Sequence, residues 1–410
     1  VRIAVARETR RDEARVAVVP EVAGRLVAMG AEVHVEPGAG IPAGFDDEAY
    51  ADAGAVLDPQ ALEGADLVLA VQPLAPTTVR RIPRGSAVVS FLPTSAADTI
   101  GELRDCGVDA WAMELLPRIS RAQSMDALSS QALVAGYRSA IVAAGLLRRF
   151  FPLNMTAAGT VQPAQVLVLG AGVAGLQAIA TSKRLGAVVK AYDVRPAAAE
   201  EIRSMGAEAI TLDLEDLSGE GGYAKEMTTD RAERQRALLA PHVAAADALI
   251  TTAAVPGRPA PLLVTREMVE AMSPGSVVVD LAAESGGNVE RSEPGRVVRV
   301  GDAQVWGGEN VPSQMPDPAS RLYAANLLAL VTLMTTDEPP AADPGAGAAG
   351  PGDEAAADTP PPPGPPGPPG ERVLRFAPDM EDEVVAKSCV VKDGVVVHEM
   401  TRAVLQGGSL

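Results

Sequence analysis

Residues 117–131 concentrate groups able to hold a polar ligand: Arg118, Arg121, Gln123, Asp126, Ser129 and Gln131, between two apolar runs at 110–116 and 132–134. Guanidinium, carboxamide, carboxylate and hydroxyl groups lie together there, in a loop fixed at both ends by core-forming segments. By composition alone the stretch reads equally as a ligand loop or as a solvated surface turn. A second constellation lies further on. The apolar run Gln165-Val166-Leu167-Val168-Leu169 leads into Gly170-Ala171-Gly172-Val173-Ala174-Gly175, a helical pattern to Leu185, and a second apolar run that ends at Asp193.

Each part of that order has a physical task. Gly170 permits a tight turn, Gly172 lets backbone approach a pyrophosphate, and Gly175 allows helix and strand to pack closely. The helix start at Val173 and Ala174 presents amide N–H groups and a positive dipole end to phosphate. Asp193 stands where an acidic residue meets the adenine ribose 2′-hydroxyl, which favours NAD(H) over NADP(H). Arg195, two residues later, works against that preference, because arginine also serves a 2′-phosphate. Later strands at 247–254 and 276–282 open on the same crevice, so Thr252, Ala254, Asp280 and Leu281 are expected to border the ligand. Asp280 reads equally as a strand-end cap.

The elements that must position these groups follow from the pattern of apolar runs. Short buried runs at 3–6, 32–35, 67–71 and 87–91 alternate with helical stretches, which predicts a doubly wound α/β domain without a phosphate-binding glycine motif. Long helices are expected at 131–150 and 319–334. The expected fold is α/β: two Rossmann-like doubly wound domains separated by a cleft, with the chain crossing twice through those helices. The first domain is expected to take in residues 1–130, 319–336 and 372–410, and the second residues 131–318. Residues 337–371 hold 12 of the 34 prolines and no large apolar side chain, so they read as a disordered linker. Beyond them, Cys389-Val390-Val391 and Val395-Val396-Val397 flank Lys392-Asp393-Gly394, a hairpin signal, expected to pack back on the body.

Composition narrows the function. A hydrophobic share of 47% with 21% charged residues suits a globular chain, and the net charge of −18 argues against nucleic acid or an anionic membrane as direct partner. No apolar stretch is long enough to span a bilayer, so no membrane insertion is expected. Three scattered histidines and two distant cysteines form no metal-ligand spacing, and no metal is expected.

On these residues the chain resembles the NAD(H)-binding domain of proton-translocating NAD(P) transhydrogenase, in its separate alpha-subunit form. The resemblance runs through residues 117–131, 155–161, 172–181, 221–227, 274–282 and 310–313. It covers nearly the whole chain except the proline-rich segment. It implies that Arg118, Gln123 and Asp126 position the nicotinamide without acting as acid or base, with Arg121 as the alternative to Arg118. It also implies that Ser129 contacts the carboxamide, and that residues 221–227, with Tyr223 and Met227, form a mobile loop closing over nucleotide. The implied partners are a second copy of the chain, membrane-embedded subunits and a subunit that carries NADP(H). The implied location is cytoplasmic, peripheral to the membrane.

Alanine dehydrogenase is the rival within the same resemblance. Its acid/base lysine and histidine correspond to Ala70 and Pro93 here, whereas its substrate-binding arginine and its acidic residue near the nicotinamide correspond to Arg15 and Glu284. Direct hydride exchange between two nicotinamide rings requires orientation and no proton transfer, so the missing pair fits transhydrogenation. A third reading, a redox-sensing NAD-binding module, leaves the polar loop without a task.

Overall fold

The apolar runs become strands because they can be buried on both faces, and the helical stretches between them cover those faces. The structure is a computed structural model and describes residues 1–214, 229–254, 259–338 and 373–406. Six strands form in the first third of the chain: β1 (Arg2–Val5), β2 (Glu32–Val35), β3 (Val56–Leu57), β4 (Leu67–Leu69), β5 (Ala87–Ser90) and β6 (Asp109–Ala112). Next come the hairpin strands β7 (Asn154–Thr156) and β8 (Gly159–Val161). The second sheet is built from β9 (Gln165–Leu169), β10 (Val188–Tyr192), β11 (Glu208–Ala209), β12 (Ala248–Thr251), β13 (Val277–Asp280), β14 (Val297–Val300) and β15 (Ala303–Gly307). The last four are β16 (Thr335–Glu338), β17 (Val373–Phe376), β18 (Cys389–Lys392) and β19 (Val395–Val396).

Two compact units result. The first comprises Val1–Glu8, Val16–Pro117 and Ala324–Leu410; the second comprises Thr9–Arg15 and Arg118–Tyr323. Residues 118–130, expected with the first domain, therefore belong to the second unit. The chain also enters the second unit briefly at Thr9–Arg15, a segment with no strand or helix to announce it.

The first unit orders its sheet β19-β18-β6-β5-β4-β1-β2-β3, with β1 to β6 parallel and β18 antiparallel to β6. The second orders its sheet β11-β10-β9-β12-β13-β15-β14, parallel except for the edge strand β14. In both, strand order reverses beside the first strand of the unit, between β1 and β4 and between β9 and β12. That reversal opens a crevice at the strand C-termini, where ligands of doubly wound sheets bind.

Several elements differ from the sequence expectation for local reasons. The long helix runs Ala127–Leu146, four residues earlier at each end, because Asp126 caps it by accepting the Ser129 N–H (2.9 Å). The other runs Pro316–Leu333 and starts on a proline, which needs no N–H in a first turn. Asp337 and Glu338, expected in the linker, pair with Leu374 and Val373 in β16 and β17. The rest of the expected linker lies outside the described residues. The C-terminal hairpin forms with Asp393 and Gly394 at φ 49° and 74°. The neighbouring segment is fixed on the first unit by Trp111 Nε1, which donates to the Val385 carbonyl (3.0 Å).

Candidate functional site

The two reversal points differ in what fills them. In the first unit Glu8 Oε1 accepts the Val71 N–H (2.6 Å) and the Gln72 N–H (3.3 Å), so the amides that follow β4 already bind a carboxylate of the chain itself. The corresponding place in the second unit is lined by glycine. Gly170 sits at φ 102°, and a Cβ there would lie 2.6 Å from Thr252 Oγ1, which donates to the Gly170 carbonyl (3.2 Å). A Cβ on Gly175 would come within 1.9 Å of the Gly170 oxygen, so only hydrogen fits between helix and strand. Gly172 is the contrast: a Cβ there meets nothing within 4 Å. Packing does not require glycine at 172, and the open space lies at the N-terminus of the Val173–Arg184 helix, where N–H groups lack helical partners. Val173, 41% exposed, and Ala174 open that helix.

At the end of β10, Asp193 is almost enclosed. Its Oδ2 accepts from Ala171 N (2.7 Å) and Arg195 Nη2 (3.1 Å), and its Oδ1 from Arg195 N and Nε (both 2.9 Å). Arg195 Nη2 also donates to the Ala171 carbonyl (3.2 Å). The pair thus ties the end of β10 to the glycine turn.

Beside it lies a feature that sequence reasoning missed. Arg231, Gln235, Leu239 and Val243 recur every four residues on the helix Thr229–Ala244, so they share one face. Leu239 and Val243 are core, and Gln235 is only 1% exposed. Neither amide atom of Gln235, nor Nε and Nη1 of Arg231, has a hydrogen-bond partner among the described residues. Arg231 and Asp193 both act on the Tyr192 hydroxyl, which burial pushes up to about 12. Buried polar atoms without a partner are rare in native structures. The readable signal was two polar residues continuing an apolar four-residue stripe.

Asp280 resolves as a strand-end cap. It is fully buried, and its carboxylate accepts from Thr251 Oγ1 (3.0 Å) and from the N–H groups of Ala282, Asn288 and Val289 (2.9, 3.0 and 3.2 Å). Burial raises its pKa, and the N–H donors work against that rise. Asp280 holds Asn288, which in turn clasps both backbone groups of Ala253 and the Pro261 carbonyl. Through Asn288 it shapes the loop after Thr252. Leu281 N–H bonds back to Thr251 O (3.0 Å), and Ala254 is exposed at the loop's start. Tyr223 and Met227 lie outside the described residues.

The 117–131 stretch divides between surface and helix start. Arg118 and Gln123 are exposed, the latter on a 3-10 turn, Ser120–Met125. Asp126 is half-buried, and besides capping the helix it accepts from Ser129 Oγ (2.5 Å). Two expected ligand contacts therefore bind each other. The helix they open packs on the glycine-loop helix so tightly that a Cβ on Gly136 would lie 2.1 Å from Ala174 O. Ser129 is seven residues before that contact, about 10 Å along the helix. Its start is fixed by Gln131, which accepts from Arg15 Nη1 (2.8 Å) and donates to Ala319 O (3.1 Å). Arg15 is buried and also bonds Glu13 and Asn310, whose N–H is held by Glu284 (2.8 Å). Arg15 and Glu284 thus join one packed polar cluster.

Residues 4–135 match the alanine dehydrogenase/PNT N-terminal domain, and residues 139–345 match the C-terminal domain of the same name. The chain belongs to the alanine dehydrogenase/PNT family. Within the family it is 44% identical to the first part of NAD(P) transhydrogenase subunit alpha from Rhodospirillum rubrum, over 97% of this chain and 98% of that one. Alanine dehydrogenase of Bacillus subtilis is 32% identical over 70% of this chain and 72% of its own length. The crystal structure of transhydrogenase from Sinorhizobium meliloti is similar at a TM-score of 0.78 and 38% identity, covering 97% of this chain and 99% of that chain. The two Rossmann-like units are thus the family fold.

Proposed function

We propose that this chain is the NAD(H)-binding subunit of a proton-translocating NAD(P) transhydrogenase, in which hydride passes directly between NADH and NADP+ held by a partner subunit. The observation that carries this reading is the glycine-lined reversal point of the second unit, where Gly172 faces open space at a helix N-terminus. Bound nicotinamide nucleotide supplies the hydride, and the chain supplies grip and orientation. The first-turn N–H groups at Val173 and Ala174 and the open backbone at Gly172 receive the pyrophosphate, and Asp193 the adenine ribose. Arg118, Gln123, Asp126 and Ser129 orient the nicotinamide end. In this reading Asp126 acts through Ser129 and the helix cap rather than through proton transfer.

The alanine dehydrogenase alternative needs an acid and a base at positions that are Ala70, fully buried here, and Pro93. That chemistry has no group to perform it at those positions. Proton movement is assigned to membrane subunits, in keeping with a relative of matching length named as one portion of a subunit. Among the described residues no helix is long and apolar enough to cross a membrane. The proposed setting is the cytoplasmic face of a membrane, reached through those subunits. The test is NADH titration of the chain, then hydride transfer to an NADP+ analogue with and without partner subunits. Pyruvate plus ammonia is the control. Turnover on that control by the chain alone would overturn the reading.

A further inference from the structure

An ionised carboxylate has about four acceptor positions. Those of Asp193 are already occupied: two by the backbone N–H groups of Ala171 and Arg195, and two by the Arg195 guanidinium. The backbone pair is built into the turn. The guanidinium pair is not, because Arg195 reaches Asp193 through a flexible side chain that retains 22% exposure against 10% for Asp193. A ribose hydroxyl can therefore reach Asp193 only by taking the place of that side chain.

We propose that Asp193 and Arg195 form one specificity element, in which the guanidinium occupies the acceptor sites that ribose hydroxyls take over, and becomes a 2′-phosphate receptor once the Asp193 charge is removed. The inference rests on the NAD(H)-binding reading above and adds a role that the glycine fingerprint does not contain. Its chemistry is simple. Two hydroxyls satisfy a carboxylate that the displaced guanidinium leaves, whereas a 2′-phosphate meets the same carboxylate as a like charge. Arginine matches phosphate with a two-pronged fork, but here the fork is held by Asp193 and by the Ala171 carbonyl (3.2 Å). Asp193 thus excludes the 2′-phosphate twice, by repulsion and by keeping its natural receptor engaged.

The experiment is fluorescence titration of the full chain with NADH and NADPH, for wild type, Asp193→Asn, Arg195→Ala and the double variant, with thermal melting as a check of folding. Asp193→Asn retains an oxygen for the Ala171 N–H and should tighten NADPH by at least about tenfold, the scale of one charge-assisted hydrogen bond. The double variant should lose that gain. Arg195→Ala alone should bind NADH at least as tightly as wild type and gain nothing for NADPH, an arm that does not depend on the Asp193 variant folding. A gain in NADPH binding that survives removal of Arg195 overturns the proposal. So does Arg195→Ala weakening NADH and NADPH alike. Failure of the wild-type chain to bind NADH would instead remove the function itself, and this inference with it.

Discussion

At the residue scale, Gln123 and Gly172 are both exposed, for different reasons, and that difference makes them informative. Gln123 stands on a short turn with its side chain outward, so shortening it to Asn leaves the fold intact and alters only reach. The expected outcome is hydride transfer slowed about tenfold or more with NADH affinity changed less than about threefold, measured by single-turnover transfer beside equilibrium titration. Equal losses would contradict a positioning role. Gly172→Ala should leave the melting temperature nearly unchanged, because the added methyl meets open space. NADH affinity should nonetheless fall by about tenfold, since the pyrophosphate needs that space. The fingerprint glycines and Asp193 were legible because their spacing encodes a local turn. Arg231 and Gln235 were not, since their meaning depends on Asp193 and Tyr192, distant in sequence, lying beside their helix. Asp280 was legible only as two alternatives, and its capping bonds became visible only in the fold.

At the element scale, two helices and a strand end make opposite demands. Gly136→Ala forces a methyl to within 2.1 Å of Ala174 O, between the helix that carries the polar loop and the one that carries the phosphate turn. It should cost about 1–3 kcal/mol in chemical denaturation and also weaken NADH binding, because the Val173–Arg184 helix has to shift. In the first unit, Glu114 caps the end of β5 by accepting the Leu92 N–H with both oxygens (2.8 and 3.1 Å). Burial pushes its carboxyl up to about 7 from an ordinary 4.5. A raised carboxyl pKa means that its contribution to stability is fully present below pH 4.5 and lost as pH rises through about 7. Glu114→Gln should therefore flatten the stability profile in that window by about 1–3 kcal/mol, read from denaturation midpoints at pH 4.5 and 7.5. An unchanged slope would assign the pH dependence elsewhere. The strand cores were readable from apolar runs, but their ends were not: the Phe91 N–H still bonds the Val71 carbonyl, while Glu8 takes the Val71 and Gln72 amides and Glu114 that of Leu92. The helix start at Ala127 was hidden for the same reason, because a capping aspartate looks like any polar loop residue until its hydrogen bond is seen.

At the scale of the molecule, the hairpin β7–β8 pairs with no other strand among the described residues and carries Met155 and Val161 at 74% and 42% exposure, with Leu153 at 49% just before it. Apolar side chains presented on a free-standing hairpin suit a second copy of the chain, the dimer implied by the resemblance. Met155→Asp should shift sedimentation equilibrium toward monomer without changing the melting of either unit. A dimer of unaltered strength would place the contact elsewhere. The assignment of residues 118–130 to the second unit has its own consequence: the polar loop and the glycine turn belong to the same body, joined through one helix–helix contact. In the proposed function this body orients a hydride donor and performs no acid/base chemistry. The most direct measurement is transfer from NADH to an NADP+ analogue in the presence and absence of the NADP(H)-binding partner, beside assays with pyruvate and ammonia. Transfer is expected only with the partner present, with no turnover on pyruvate; reductive amination of pyruvate by the chain alone would contradict that role.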